Sequence, residues 1–405
     1  MSFTNLSSKA VFRVACLLLF LAPAALPCQS IADSQLPVPL KMPIVRITSQ
    51  HGRILLQNRQ FLKTEDEEGN VFKSTNAMAI EFGWQLLGGK EWHQTCKYPR
   101  MGVGFQYMHV ANRDELGHPF SIYGFYDGNY FRTKNFELTN RMAVGFAYGF
   151  KTYDPADETS NDLFSTRLNS FQELGVGMAI RLYRSVYIEP GFRLTHYSNG
   201  NMKEPQKGLN IPSYNLSLRS VLGNSPPEPV RVPLDDYFPR HQTLAFFSMS
   251  PRQYDFIDDS TRYHETYGMN FLMANLHLGY YYALTRRFRL GAGVDFIYDG
   301  TNGIREASLS VGGMPLRNAV PFHDRAGVAL YAGGEKDIDR LCVVAGLGYI
   351  VAQTRFGSST PRFEQRLGFK YHIYPNVFAG ANVRSYNFRA AKAVEFNVGV
   401  RRFWH

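Results

Sequence analysis

Apolar side chains recur at every second position along most of the chain from about residue 75 onward, and the positions between them carry mainly Gly, Ala, Asn, Arg, Gln and Tyr. A period of two predicts β-strands with one apolar and one polar face. An apolar outer face and a polar inner face are typical of a β-barrel in lipid. The clearest runs are Met78-Ile80-Phe82-Trp84-Leu86, Met142-Val144-Phe146-Tyr148-Phe150, Leu272-Ala274-Leu276-Leu278-Tyr280 and Phe396-Val398-Val400.

The connections between these runs alternate in length, as the short periplasmic turns and long external loops of such a barrel do. Tight links are predicted near Arg184, Thr285-Arg286, Glu335-Lys336-Asp337 and Tyr374-Pro375-Asn376, and long polar segments near 152–165, 199–209, 299–323 and 353–361. We therefore predict a single antiparallel transmembrane barrel of about fourteen strands, within a range of twelve to sixteen. The strands at 51–62 and 241–250 have the weakest pattern. The Pro-rich segment 223–240 falls on the turn side, where it is interpreted as a periplasmic appendage.

Composition narrows the fold class further. The 405 residues include 31 Phe, 24 Tyr and 35 Gly, only 19% are charged, and the formal net charge is +10. The slightly negative mean hydropathy of −0.25 excludes a bundle of transmembrane helices, whereas the alternation in a barrel gives such an average. A soluble β-sandwich has the same period, but we find no internal domain linker, and a closed barrel removes the sheet edges that so many strands would otherwise expose.

The N-terminus predicts export. Lys9 and Arg13 precede the apolar run 14–22, and Ser30 and Ala32 form a candidate cleavage pair, which together are typical of a signal peptide. We predict a signal peptide over residues 1–32, an N-terminal periplasmic segment over 33–50 and the barrel over 51–405, located in the bacterial outer membrane. Cys96 and Cys342 would remain after cleavage, and we expect them to be unpaired packing residues.

One strand places polar residues on the face expected to meet lipid. Val186, Ile188, Pro190, Phe192 and Leu194 alternate, and the same face continues into His196 and Ser198. A polar pair facing lipid suggests a function, because barrels normally direct such residues to the lumen. Serine becomes nucleophilic when a neighbouring base takes its proton, and histidine is the natural base near neutral pH.

The next predicted strand returns to the same surface after the loop 199–209. Its outer face begins at Asn210, which could orient the imidazole ring as the third member of a triad does. The segment Asn199-Gly200-Asn201 offers backbone N–H groups or an amide to a developing oxyanion.

The run His196-Tyr197-Ser198-Asn199-Gly200-Asn201 through Pro205, Gly208 and Asn210 resembles the motif of the lipid A 3-O-deacylase (PagL) family of outer-membrane barrels. The resemblance implies an esterase that removes an acyl chain from lipopolysaccharide at the outer wall, with Ser198 as nucleophile and His196 as base. Two positions depart from the family pattern: Asn210 stands where the deacylases carry a carboxylate, and Gln206 where they carry Asn. Because an amide cannot stabilise an imidazolium by charge, weaker catalysis is expected. The chain is also much longer than the family's eight-stranded barrel.

The function predicted from these residues is an outer-membrane serine esterase acting on lipid A. Catalysis is assigned to Ser198, His196 and Asn210, and oxyanion or substrate positioning to Asn199, Gly200, Asn201 and Gln206, with no cofactor and no metal. The expected partners are lipopolysaccharide and outer-membrane lipid, not nucleic acid, because the basic residues form no aromatic-interleaved stripe. The oligomeric state is not predicted. Two alternatives stay open: a non-catalytic pore or structural barrel that keeps a degenerate motif, and an outer-membrane phospholipase.

Overall fold

A computed structural model describes residues 41–55, 74–110, 113–154, 163–200, 202–203, 206–223, 229–235, 237–257, 264–302, 321–353, 362–387 and 391–404. These residues form sixteen antiparallel strands and three short helices. The first eight strands are β1 Lys41–Arg53, β2 Ser74–Leu86, β3 Arg100–Val110, β4 Gly117–Arg132, β5 Phe136–Phe150, β6 Leu168–Tyr183, β7 Val186–Ser198 and β8 Leu209–Val221. The second eight are β9 His241–Ile257, β10 His264–Thr285, β11 Phe288–Asp299, β12 Ala326–Ile338, β13 Leu341–Gln353, β14 Phe363–Tyr374, β15 Val377–Tyr386 and β16 Ala391–Trp404. The helices are α1 Glu91–Thr95, α2 Arg113–Leu116 and α3 Phe322–Arg325.

Strands β1 to β8 form one closed barrel, called barrel 1. Each strand pairs with the next along the chain, and β8 returns to pair with β1 through residues such as Leu218 opposite Ile47. This last pairing hydrogen-bonds both edge strands, which matters because an unpaired edge is very costly in hydrocarbon.

Strands β9 to β16 form a second closed barrel, called barrel 2. Its closing pair is β16 with β9, where Phe396 lies opposite Met249 and Trp404 opposite His241. Among the described residues, no helix has both the length and the apolar character needed to cross a membrane.

The all-β barrel fold is confirmed, but the single barrel of about fourteen strands is wrong. The chain has sixteen described strands in two barrels of eight. The segment 33–50 also differs from its predicted role, because β1 begins at Lys41 and places Arg46, Thr48 and Gln50 in the interior. The outer face of β1 includes Ser49 and His51, which weakens the apolar alternation that would have revealed the strand. The predicted signal peptide and residues 33–40 lie outside the described residues.

The predicted turns at Arg184, at Thr285-Arg286 and at Tyr374-Pro375-Asn376 agree with the ends of the strands. The tight link predicted near 335–337 lies two residues later, because β12 continues to Ile338 and the turn follows at Asp339, which has a positive φ of 55°. The connections after β1, β5, β7, β11 and β13 are long and lie at the opposite end from these turns, where the connections after β3 and β9 also lie; at the end of the turns, the connection 87–99, which contains α1, is the long exception. The two ends are called the short-turn end and the long-loop end.

The Pro-rich segment is the connection between the two barrels. Its described part is tied to barrel 1 near α1: Val230 N–H donates to the Leu87 carbonyl at 2.8 Å, and Tyr98 Oη donates to the Val230 carbonyl at 2.9 Å. Val232 N–H donates to Gln94 Oε1 at 2.9 Å. The segment thus extends an ordered short-turn end instead of forming a separate appendage.

The lumen of barrel 1 is filled by charged groups toward the short-turn end. Arg46 donates to Asp127 at 2.6 Å and to Glu189 at 3.1 Å, and it also pairs with Glu81. Arg141 bridges Asp127 at 2.9 Å and also pairs with Glu81. Every buried cation here has carboxylate partners, as burial of charge requires.

Toward the long-loop end the same lumen is packed with aromatic rings. Phe150 stacks on Phe164 with centroids 4.1 Å apart, and Tyr197 meets Phe150 at 5.2 Å and Phe171 at 5.6 Å. The cavity found within this lumen, next to Gln50 and Tyr197, holds only about 10 Å³. Side chains therefore fill the lumen of barrel 1, as they can in a barrel of eight strands.

Candidate active site

Strand β7 presents His196 and Ser198 at its long-loop end. Its inward positions are the buried residues Tyr187, Glu189, Arg193, Thr195 and Tyr197, whereas Phe192, Leu194 and His196 are only partly buried. Tyr197, 1% exposed, packs its ring in the lumen between Phe150 and Phe171. Because successive side chains of a strand point to opposite faces, this anchor directs His196 to the outer face.

Asn210 lies directly opposite His196 in the pairing of β7 with β8. His196 Nδ1 lies 2.7 Å from Asn210 Oδ1, so the ring nitrogen donates to the amide oxygen. A proton on Nδ1 leaves the lone pair of a neutral imidazole on Nε2, the atom that would act as a base. The structure thus brings together two of the three residues predicted to be catalytic.

Ser198 is the last residue of β7 and is buried. Its carbonyl accepts a 2.7 Å hydrogen bond from Ser170 Oγ on the neighbouring strand β6, and Ser170 lies opposite Ser198 in the register. Gln172, opposite His196, donates to Ser170 Oγ at 3.3 Å. The two β6 residues therefore hold the end of β7 from the other side.

Sequence reasoning missed Ser170 and Gln172. The signal that could have found them is the one used for His196 and Ser198, because both interrupt the outer face that Leu174 and Val176 continue. Polar positions on adjacent lipid-facing strands form one patch once the register is known.

The loop after Ser198 is tied to barrel 1 from both of its ends. Asn199 Nδ2 donates to Ser165 Oγ at 2.9 Å, and Gly208 N–H donates to the Leu163 carbonyl at 3.2 Å. Gly200 has a φ of 68°, a left-handed conformation that side chains rarely adopt. The Asn199 side-chain amide is thus engaged with Ser165. Asn201 lies outside the described residues.

Gln206 and His196 flank Gly208, which has a φ of 66°. A Cβ placed on Gly208 would lie 3.3 Å from His196 Cε1, 3.5 Å from Gln206 Nε2 and 2.9 Å from the Tyr197 carbonyl. The predicted positioning residue Gln206 therefore lies near the imidazole, and glycine is required where the loop meets the ring.

Lys207 lies between Gln206 and Gly208 in the loop, and burial lowers the pKa of its ammonium group. A partly desolvated ammonium gains more from an anion than one in bulk water does. Lys207 is thus the basic residue of this loop best suited to contact an acidic group of a ligand.

Barrel 2 lacks the same residues at the matching place. Its strand β15 begins at Val377 as β7 begins at Val186, and both strands bury an arginine seven residues later, Arg193 and Arg384. Counted along the sequence in the same way, the residues that correspond to His196 and Ser198 are Asn387 and Arg389, of which Arg389 lies outside the described residues. The candidate constellation belongs to barrel 1.

Two family models match the chain, one on each barrel. Residues 78–219 match "Lipid A 3-O-deacylase (PagL)", and residues 243–405 match "Acyloxyacyl hydrolase, C-terminal domain". The chain belongs to the PagL-like acyloxyacyl hydrolase family. The first match includes His196, Ser198 and Asn210, so the family is matched over the segment whose geometry is described above.

Known structures with a similar fold include the outer-membrane enzyme PagL, at 18% identity and a TM-score of 0.30 over 44% of this chain and 99% of that one. Neisserial surface protein A is similar at 12% identity and a TM-score of 0.29, over 44% of this chain and 97% of that one. A porin of Rhodopseudomonas blastica is similar at 10% identity and a TM-score of 0.17, over 90% of this chain and all of that one. Among curated protein sequences, none matches.

Family membership identifies the protein as an outer-membrane β-barrel protein of a deacylase type. The outer faces agree with that location, because large apolar side chains are exposed around both barrels, including Phe146 at 65%, Leu216 at 54%, Leu330 at 54% and Val398 at 57%. In water such apolar surface would cause aggregation, whereas lipid covers it.

Proposed function

We propose that barrel 1 is a serine esterase that removes an ester-linked acyl chain from lipid A. In this mechanism Nε2 of His196 takes the Ser198 hydroxyl proton as Oγ attacks the acyl carbonyl. Asn210 keeps the proton on Nδ1 and fixes the plane of the ring. The observation that carries the proposal is the 2.7 Å hydrogen bond between His196 Nδ1 and Asn210 Oδ1 on the outer wall.

The attack produces a tetrahedral oxyanion, which needs donors aimed at it. We assign this role to backbone N–H groups of the segment Asn199-Gly200-Asn201 that follows Ser198, with Gln206 positioning the substrate beside the ring. His196 then returns its proton to the departing alcohol. Water hydrolyses the acyl-enzyme by the same route, releasing the fatty acid and restoring Ser198.

An acyl chain has an apolar path beside this site. Below His196 and Asn210 the next outward pair in the register is Leu194 with Pro212, followed by Phe192 with Tyr214, whose rings meet at 5.8 Å. Each step of two residues advances about 6.7 Å along a strand. A fatty acyl tail lying along this path would keep its ester at the level of His196.

The test is mass spectrometry of lipid A from outer membranes of cells that express the wild-type chain or Ser198→Ala. Loss of one acyl chain with the wild type and intact lipid A with Ser198→Ala is the expected result. Ser220→Ala is the matched control, because Ser220 also lies on the outward-facing side of β8 but at the short-turn end. Equal acylation with wild type and Ser198→Ala, at equal levels of folded protein, would rule out the proposal.

The same preparations separate a phospholipase from a lipid A deacylase. Purified lipid A and purified phospholipid vesicles are each incubated with the wild-type protein, and released fatty acid is measured. Release from lipid A alone supports the proposal. A pore through barrel 1 is disfavoured by the packed lumen described above.

A further inference from the structure

Three potential metal ligands meet at the short-turn end of barrel 2. They are Asp337 on β12, Cys342 on β13 and His372 on β14, and their ligand atoms all lie within 4.8 Å of one another. Asp337 and Cys342 are directly opposite in the register, and Lys370, two residues before His372, lies opposite Cys342 on its other side. Alternation along β14 therefore directs Lys370 and His372 to the same face as Cys342.

His372 is the second observation that points to a ligand. Its side chain is only 6% exposed, yet within the described part of the chain neither ring nitrogen has a hydrogen-bond partner. Buried imidazoles normally find a donor or an acceptor. A ring with both nitrogens unsatisfied beside a thiol and a carboxylate is typical of a site that holds an ion.

The two oxygens of the Asp337 carboxylate have different surroundings. Oδ2 accepts a hydrogen bond from Arg289 and lies 3.7 Å from Arg401 Nη1. Oδ1 has no partner among the described residues. The arginines thus hold the carboxylate in place through one oxygen, as partners of metal-bound carboxylates commonly do, while the other oxygen remains available for an ion.

We propose that Asp337, Cys342 and His372 bind a Zn²⁺ ion in the mouth of barrel 2. Thiolate, imidazole and carboxylate together form a ligand set that zinc accepts, with a fourth tetrahedral position for water. Ligand atoms around one zinc ion lie about 3.5 Å apart, for bonds of about 2.0–2.3 Å. The three ligand atoms already lie within 4.8 Å of one another, so modest rotation of their side chains would bring them to this spacing.

Binding of the ion releases the proton of the Cys342 thiol. The Cys342 Sγ–H bond breaks, an Sγ–Zn bond forms, and one proton leaves to solvent. The thiolate then adds a negative charge to that of the Asp337 carboxylate, which is shared with Arg289 and Arg401. Arg289, Arg401 and Lys370 face the same region, with Lys370 paired to Glu335. A divalent ion binds here only together with the thiolate, which selects for a thiophilic metal over Ca²⁺ or Mg²⁺.

The site would cross-link three strands close to their turns. Cys342 is the second residue of β13, and His372 lies two residues before the end of β14. Because all three ligands lie in barrel 2, this proposal is independent of the esterase of barrel 1.

The test uses the full-length chain in detergent, under a reductant that does not bind metal, titrated with Co²⁺ as a spectroscopic substitute and with Zn²⁺ against a chromophoric chelator. We expect one ion per chain and a thiolate-to-cobalt charge-transfer absorption that one equivalent of Zn²⁺ abolishes. Cys342→Ser removes the absorption, and His372→Ala weakens zinc binding by roughly tenfold or more. Cys96→Ser, which replaces the other free cysteine among the described residues, keeps both properties.

Heat-dependent migration on gels reports whether each variant has folded. If folded wild-type protein gives no charge-transfer absorption, or if folded Cys342→Ser binds Zn²⁺ as tightly as the wild type, the proposal is wrong. If Cys342→Ser fails to fold, folded His372→Ala decides the question in the same way.

Discussion

His196 and Asn210 are joined side chain to side chain across the β7–β8 pair, at 2.7 Å, on the outer wall of barrel 1. An amide at this position can select the imidazole tautomer but cannot offset the charge of an imidazolium. In the proposed esterase, the orienting and the charge-stabilising roles of a triad's third member are therefore separated, and substitutions at position 210 can measure both.

Removing the amide should cost activity, and adding a charge should restore more than was lost. We expect Asn210→Ala to lower kcat by about 10- to 100-fold, since one buried hydrogen bond is worth about 1–3 kcal/mol. Asn210→Asp should raise kcat above that of the wild type, because the carboxylate stabilises the imidazolium. Rates of fatty acid release from lipid A measure both changes. The double variant Asn210→Asp, Ser198→Ala should be inactive, and a slower Asn210→Asp enzyme would contradict the assigned role.

Gly208 should tolerate no side chain. Its φ is 66°, and a Cβ added to Gly208 would lie 2.9 Å from the Tyr197 carbonyl oxygen. Gly208→Ala must therefore shift the loop against His196. We expect kcat to fall at least about tenfold, because misplacement by an ångström can cost a factor of 100. Thermal unfolding separates this effect from a loss of fold. Gly223, which also has a positive φ but lies at the short-turn end, is the control position.

Lys207 should favour phosphorylated substrate. Replacement by Met removes a partly desolvated ammonium near the site, and a charged hydrogen bond is worth about 1.5–3 kcal/mol, so KM for phosphorylated lipid A should rise about tenfold. For lipid A without phosphates, KM should not change. The comparison is with Lys134→Met, since Lys134 is exposed in the β4–β5 turn. An equal effect on both substrates would exclude phosphate contact.

Glu81 should be essential for the stability of barrel 1. It accepts hydrogen bonds from Arg46, Arg141 and, at 2.8 Å, the Tyr123 hydroxyl, and it is fully buried. Glu81→Gln leaves two buried guanidiniums undercompensated, which we expect to lower the free energy of unfolding by about 3–5 kcal/mol. Urea titration in lipid vesicles measures the change. Glu91→Gln, in α1 at the short-turn end, should have little effect.

Barrel 1 should act alone. All the residues assigned to the esterase lie between 165 and 210, and the β1–β8 pairing closes the barrel without help from later strands. A chain of residues 1–236 should therefore migrate as a folded barrel and deacylate lipid A in cells. A folded but inactive fragment would show that residues beyond 236 contribute to catalysis.

The sequence predicted strands well but not how they close. Both halves carry the same period of two, and closure of each barrel depends on hydrogen bonds between strands about 150 to 170 residues apart, such as those joining Ile47 to Leu218, which leave no local signature. The clue was the segment 223–240, whose prolines interrupt the strand pattern. The interpretation of this segment as an appendage is wrong, because it separates two complete barrels.

For the site, the sequence predicted that His196, Ser198 and Asn210 share the outer face, because parity along a strand is a local property. The structure adds the register, which sets Asn210 opposite His196 and brings Ser170 and Gln172 to the other side. The sequence could not predict Asp337, Cys342 and His372 as a group. Cys342 follows Asp337 by 5 residues and His372 follows Cys342 by 30, and only the pairing of β12, β13 and β14 brings the three together.

Eight is an even number, so the chain enters and leaves each barrel at the short-turn end. Each barrel can therefore insert while both ends of its own chain segment stay on one side of the membrane. A deletion that begins or ends at the connection between the barrels could therefore remove one barrel and leave the strand pairing of the other complete.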